Sequence, residues 1–272
     1  MARATDYGRA VARWARNYPL APRYRRDELV TLTTADGVRL NAARLVGPAD
    51  ARFTVVLLHG FVNSSRTPRI HAFARLLQSS ACVIVPDLRG HGASEGHTTM
   101  GLHETLDVDA AVRAAGAGSP VVTVGSSLGG SAAILHAGQH GGVAGVVAIS
   151  AAAWGGEEGR TGSARAARFV RSRAGRQVAA RLLRTRIPRD CASVPDARDV
   201  VANVSPAFLI VAHDPYDHYF GDDHARALYD WAREPKELWW LPHAGHGTDL
   251  LTPAFADRLL DELSRRLPAP SP

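Results

Sequence analysis

The stretch VVTVGSSLGGSAAILH, residues 121–136, sets two serines between an apolar run and a segment rich in Gly and Ala. Within it the pentapeptide GSSLG at 125–129 fits Gly-x-Ser-x-Gly and puts Ser127 at its centre. A serine hydroxyl is a weak nucleophile alone, and needs a base within hydrogen-bond reach and an acid that orients the base. Both residue types follow downstream: Asp214 and Asp217 in AHDPYDHYFG, then His243 and His246 in LPHAGHGTDLL. Such a set performs acyl transfer through a covalent acyl-enzyme. On residue types alone, either aspartate and either histidine could complete it. The plainer reading is that Ser126 and Ser127 only satisfy a helix N-terminus.

The elements around these residues decide what they can reach. FTVVLLHG, ACVIVPDLRG, PVVTVG, VAGVVAIS, AFLIVA and KELWWLP read as strands, most of them wholly apolar as buried strands are. Helical patterns over 67–77, 103–115, from Leu128, around 222–232 and over 254–266 alternate with them. That alternation predicts an α/β fold with a mostly parallel, eight-stranded, doubly wound sheet. At the front, ELVTLTTADGVRLNAARLV predicts a hairpin turning at Ala35, Asp36 and Gly37 and forming an antiparallel edge. Ser127 then falls between a strand and a helix, the setting of a nucleophile elbow. Glycines at 125 and 129 would relieve crowding around that strained turn.

Three segments are expected: a basic arm at 1–27 carrying Val11, Trp14 and Tyr18, a core of 28–150 and 196–268, and an Arg-rich helical cap insertion at 151–195. The arm predicts a helix packed on the domain, with an anionic surface as the alternative partner. Ten arginines lie between Arg160 and Arg189, with Phe169, Val170, Leu182 and Leu183 as the few apolar anchors. A solvated face is the plain expectation for such a run.

With 272 residues, 46% hydrophobic and 21% charged, the chain has the composition of one globular domain. No apolar run reaches the roughly 18 residues of a membrane span. The N-terminus has charge but no continuous apolar region, and Cys82 and Cys191 show neither disulfide nor metal-site spacing. A cytoplasmic location is expected. The net charge is +6 and Lys236 is the only lysine among 32 basic residues. Without interleaved aromatics or a recognisable module, this arginine bias does not predict nucleic-acid binding.

In chain order, LLHGF, PDLRGHGASEG, GSSLGG, AHDPYD and HAGHG resemble the α/β-hydrolase fold superfamily, of the serine esterase, lipase and peptidase-like kind, over residues 53–250. The resemblance implies Ser127 as nucleophile, His246 as base and Asp217 as acid, with Asp214 standing where Gly is commoner. It implies an oxyanion hole made by the backbone N–H groups of Phe61 and Leu128, and no metal or organic cofactor. Asp87, Arg89, Gly90 and His91 would shape the wall of the site. Asn63, Ser126, Trp154 and Tyr219 are expected around the substrate pocket, the Phe61 ring beside them, and His59 is expected to be structural.

The function expected is hydrolysis of a small carboxylic ester or thioester. The alternatives are acyl transfer, a thioesterase whose Arg-rich insert meets an acidic carrier protein, and a ligand-binding member without turnover. Serine at position 127 disfavours dehalogenase and epoxide-hydrolase chemistry, whose elbow residue is Asp. The cluster His213, Asp214, Asp217, His218, Asp222, Asp223 and His224 matches no metal-ligand spacing.

Overall fold

The computed structural model of the chain describes residues 21–155, 168, 172–190 and 195–267. The expectations for Val11, Trp14, Tyr18, Phe169, Val170 and Cys191 lie outside these residues. Among the described residues, no helix is long and apolar enough to cross a membrane.

Eight strands form one sheet in the order β1-β2-β4-β3-β5-β6-β7-β8. They are β1 (Leu29–Thr33), β2 (Arg39–Leu45), β3 (Thr54–Leu58), β4 (Cys82–Pro86), β5 (Val121–Ser126), β6 (Gly145–Ile149), β7 (Phe208–His213) and β8 (Lys236–Trp240). β1 and β2 are the expected hairpin, and β2 also runs antiparallel to β4. Every other pairing is parallel. In the hairpin turn, Gly37 takes a φ of 83°, which a side chain would strain, and donates its N–H to Thr34 O at 3.0 Å.

β3, β5, β6 and β7 are buried at every position, because helices cover both faces. On one face lie α1 (Pro68–Gln78) and α6 (Pro253–Arg266). In α1 the buried residues Ile70, Phe73, Ala74 and Leu77 recur every three or four positions, and Pro68 occupies the first turn, where it loses no hydrogen bond. Phe73 stacks on Phe255 of α6 at 6.1 Å. The other face carries α2 (Glu104–Ala115), α3 (Leu128–His140) and α5 (Asp222–Trp231) over a second apolar cluster.

The segment between β6 and β7 contains α4 (Arg173–Leu182). Residues after it are stitched to the loop that follows β4. Gly92 N–H donates to Arg184 O at 3.0 Å, Arg186 N–H to Gly90 O at 2.7 Å, and Thr98 N–H to Arg186 O at 3.0 Å. The loop of DLRGHGASEG is thus the seat of this segment. Gly90 is needed there, since its φ is 74° and a Cβ would stand 2.3 Å from Thr98 N. Asp87 braces the same loop, accepting from Ser65 N–H at 2.7 Å and Ala93 N–H at 3.0 Å. Buried Arg89 ties the loop to α2 through Asp107 and to the hairpin through Asp36, and this contact holds the Asp36 carboxyl down to about 2.

His136 of α3 is 1% exposed, and among the described residues neither ring nitrogen has a hydrogen-bond partner, the Asp109 carboxylate standing 3.7 Å from Nε2. Burial therefore pushes its pKa down to about 4 from 6.5. The unfolded chain protonates first, so the stability given by neutral His136 is full above pH 6.5 and falls as the pH drops toward 4. The slope from one such group is at most about 1.4 kcal/mol per pH unit. Urea midpoints measured at pH 7 and pH 4.5 should fall less for His136→Phe than for the wild type.

Candidate active site

Ser127 sits between the last residue of β5 and the first of α3, with φ 52° and ψ −114°. A non-glycine residue holds such a conformation only when its surroundings enforce it. The surroundings are tight: a Cβ at Gly125 would lie 2.2 Å from Gly129 O, and one at Gly129 would lie 2.6 Å from Leu58 O. Strand β5, helix α3 and the end of β3 touch through bare backbone. Ser127 N–H donates to Ile149 O at 2.7 Å, which fixes the turn to β6.

The loops after β7 and β8 bring two further groups to this serine. His246 Nε2 lies 3.1 Å from Ser127 Oγ, and His246 Nδ1 lies 2.6 Å from Asp217 Oδ2. With the Nδ1–H donating to the carboxylate, Nε2 accepts from the serine hydroxyl. Asp217 is fully buried, and its Oδ1 accepts from Tyr219 N–H at 2.7 Å and Phe220 N–H at 3.4 Å. Burial pushes the carboxyl up, but the hydrogen bond and charge of His246 outweigh it and hold Asp217 below the usual carboxylate value.

Asp214 is placed differently. It accepts from Tyr216 N–H at 2.9 Å, His243 N–H at 3.1 Å and Gly245 N–H at 2.7 Å, and so braces the loop that carries His246. His243 is exposed and stacks on Tyr216 at 4.6 Å. His59 is fully buried, with Nε2 accepting from Leu88 N–H and Nδ1 against Gly60 O, both at 2.9 Å.

The loop after β3 passes against the serine, since a Cβ at Gly60 would stand 3.4 Å from Ser127 Cβ. The Phe61 ring packs against Ala179 and Ile187 and meets His91 edge-on at 5.9 Å. Leu128 is buried at the start of α3. Asn63 uses its side chain on the loop itself: Nδ2 donates to Phe61 O, and Oδ1 accepts from Thr67 Oγ1, both at 3.3 Å. Ser126 is buried next to Gly247, with no partner for its hydroxyl among the described residues. Trp154 stacks on His224 at 4.1 Å and lies 6.0 Å from Trp231; its ring contacts do not include His246. Tyr219 does face His246, at 4.5 Å.

The sequence singles out neither Phe220 nor Ser150, and names His218 only within the cluster that matches no metal-ligand spacing. His218 and Phe220 flank His246 beside Tyr219, and Ser150 Oγ accepts from Gly247 N–H at 3.1 Å. The run HYF directly after Asp217 was the available signal for the first two.

A family model described as the alpha/beta hydrolase family matches residues 55–268, most of the chain. The chain belongs to this family. Among solved structures, this α/β hydrolase is similar to an esterase of Pyrococcus furiosus, with 20% identity and a TM-score of 0.71 over 91% of this chain and 98% of that one. It is also similar to an esterase of Rhodococcus sp. ECU1013, at 20% identity and TM-score 0.70 over 88% of this chain and 98% of the other. A hydrolase from Pseudomonas aeruginosa PA01 shares 22% identity, with TM-score 0.68 over 88% and 100%. At these identities the likeness concerns the fold. No curated protein matches the sequence significantly.

In the α/β hydrolase described here, Asp214 is a scaffold for the histidine loop. Asp214→Ala leaves three backbone N–H groups without their acceptor and should destabilise the protein by about 1–3 kcal/mol. Thermal unfolding of the variant beside the wild type checks this.

Proposed function

We propose that the protein is a serine hydrolase that cleaves a small carboxylic ester or thioester. The observation that carries this reading is the unbroken line from Asp217 through His246 to Ser127, with contacts of 2.6 and 3.1 Å. His246 takes the Ser127 proton as Oγ attacks the carbonyl carbon. Asp217 keeps the imidazole in the required tautomer and offsets its charge once protonated. The backbone N–H groups of Phe61 and Leu128 receive the developing oxyanion, helped by the partial positive charge at the start of α3. His246 returns the proton to the leaving group, then activates water to release the acyl group. Two proteins of similar structure, from Pyrococcus furiosus and Rhodococcus sp. ECU1013, are esterases, which supports the same substrate class. Residues 28–150 and 196–268 form the catalytic core in this reading and 151–195 its cap, working in the cytoplasm without a cofactor.

Labelling with a fluorophosphonate, read by intact mass, tests the proposal. The wild type should gain one adduct and Ser127→Ala none; an unlabelled wild type sinks the reading. Asp217→Asn should keep the fold and lower kcat by about 10⁴-fold, because it favours the wrong tautomer.

A second reading, a thioesterase served by an acidic carrier protein, is favoured by one observation. Segment 151–195 holds ten arginines against Glu157, Glu158 and Asp190, a net +7, whereas the whole chain carries +6. Arg173, Arg181 and Arg189 are exposed around α4, whose Ala179 packs with Phe61 beside the serine. Electrostatic docking of this kind weakens with salt. Activity on an acyl carrier should fall severalfold between 50 and 500 mM salt, while that on a neutral ester stays level; equal responses would remove the carrier.

A further inference from the structure

The rings around His246 bear on the substrate, provided the serine-hydrolase reading above holds. The Tyr219 ring lies 4.5 Å from the imidazole at 45°, Phe220 at 5.6 Å and 62°, and His218 at 6.1 Å and 68°. Tyr219 and Phe220 are half-buried and His218 is exposed, so their faces are only partly covered. Phe220 also meets His224 at 5.2 Å, and His224 stacks on Trp154. Aromatic surface therefore runs from the imidazole inward without a break. The backbone N–H groups of Tyr219 and Phe220 are held by Asp217, the same carboxylate that orients His246.

The chemistry tells which part of a substrate meets this surface. During acylation the Ser127 Oγ–C bond forms as its proton passes to Nε2. When the tetrahedral adduct collapses, the C–O bond to the alcohol breaks, and the proton moves from Nε2 to that oxygen. The alcohol must therefore leave alongside the imidazole, whereas the carbonyl oxygen points toward the Phe61 and Leu128 amides. We propose that Tyr219, Phe220 and His218 form the leaving-group subsite and select esters of planar, aromatic alcohols. Ring-to-ring contact at offset or edge geometry gains more than burial of the same area by a saturated ring.

Benzyl acetate and cyclohexylmethyl acetate test this, since they are alike in size and differ in planarity. The wild type should favour the benzyl ester about five- to tenfold in kcat/KM. In Tyr219→Leu and Phe220→Leu that ratio should fall toward one, whatever happens to the absolute rates. A wild-type ratio near one overturns the proposal. So does a ratio unchanged in both variants, the result if the rings only stabilise the imidazolium by cation–π contact and so speed all esters alike. Fluorophosphonate labelling of the same samples separates the two levels. A labelled serine with no preference, or with neither ester turned over, defeats the subsite alone; absence of both labelling and turnover defeats the hydrolase reading beneath it.

Discussion

The contacts between Asp217, His246 and Ser127 join loops that leave three different strands, so they depend on the register of one sheet. Ser126 of β5 pairs with Ile149 of β6, Ile149 with Ala212 of β7, and His213 with Trp240 of β8. Parallel pairing puts the C-terminal ends of all four on one edge. A slip of one residue moves a strand by about 3.3 Å and turns its side chains to the other face. Either change would exceed the tolerance of a 2.6 Å hydrogen bond. The apolar burial of β5, β6 and β7 on both faces is what holds the register, so the packing of the core and the geometry of the site are one problem.

The loops at that edge carry the strain. Ser127 has positive φ, and so do Val62 after β3, Ser150 after β6 and His243 after β8. Each lies in a chain segment turning sharply away from the sheet at the site. Such backbone persists where neighbours over-determine it. Here the neighbours are identifiable: Ile149 O for the Ser127 amide, Ala212 O for the Ser150 amide and Asp214 for the His243 amide. The loop of Val62 is held by Asn63, whose N–H donates to Gly60 O at 3.2 Å.

Much of this was legible in the residues. The strands show as apolar runs because they are buried on both faces, and the elbow shows because only glycine fits at 125 and 129. The placement of His246 and the two aspartates after successive strands follows from the alternation of elements. The division of labour between Asp214 and Asp217 was not legible from types and spacing, since both are buried and three residues apart. A short turn decides it: Asp217 N–H donates to Asp214 O at 2.9 Å, and the Asp214 carboxylate meets the backbone of the loop after β8 while the Asp217 carboxylate meets the His246 ring on that same loop. The contacts that Asn63 makes with Thr67 and Trp154 with His224 follow from no local pattern. The seating of residues 184–186 on the loop at 90–98 joins segments about ninety residues apart, and no local pattern announces it.

Asp217 also explains why the aromatic surface and the imidazole belong to one device. Both its oxygens are engaged, Oδ2 by His246 and Oδ1 by the amides of Tyr219 and Phe220. A carboxylate used on both sides has little freedom to rotate, so the direction in which it presents Oδ2 is set by the backbone at 219 and 220. A shift of that backbone would therefore turn the Asp217 carboxylate and draw Oδ2 away from the His246 ring. Geometry that orients the imidazole is thus shared with geometry that frames the space beside it.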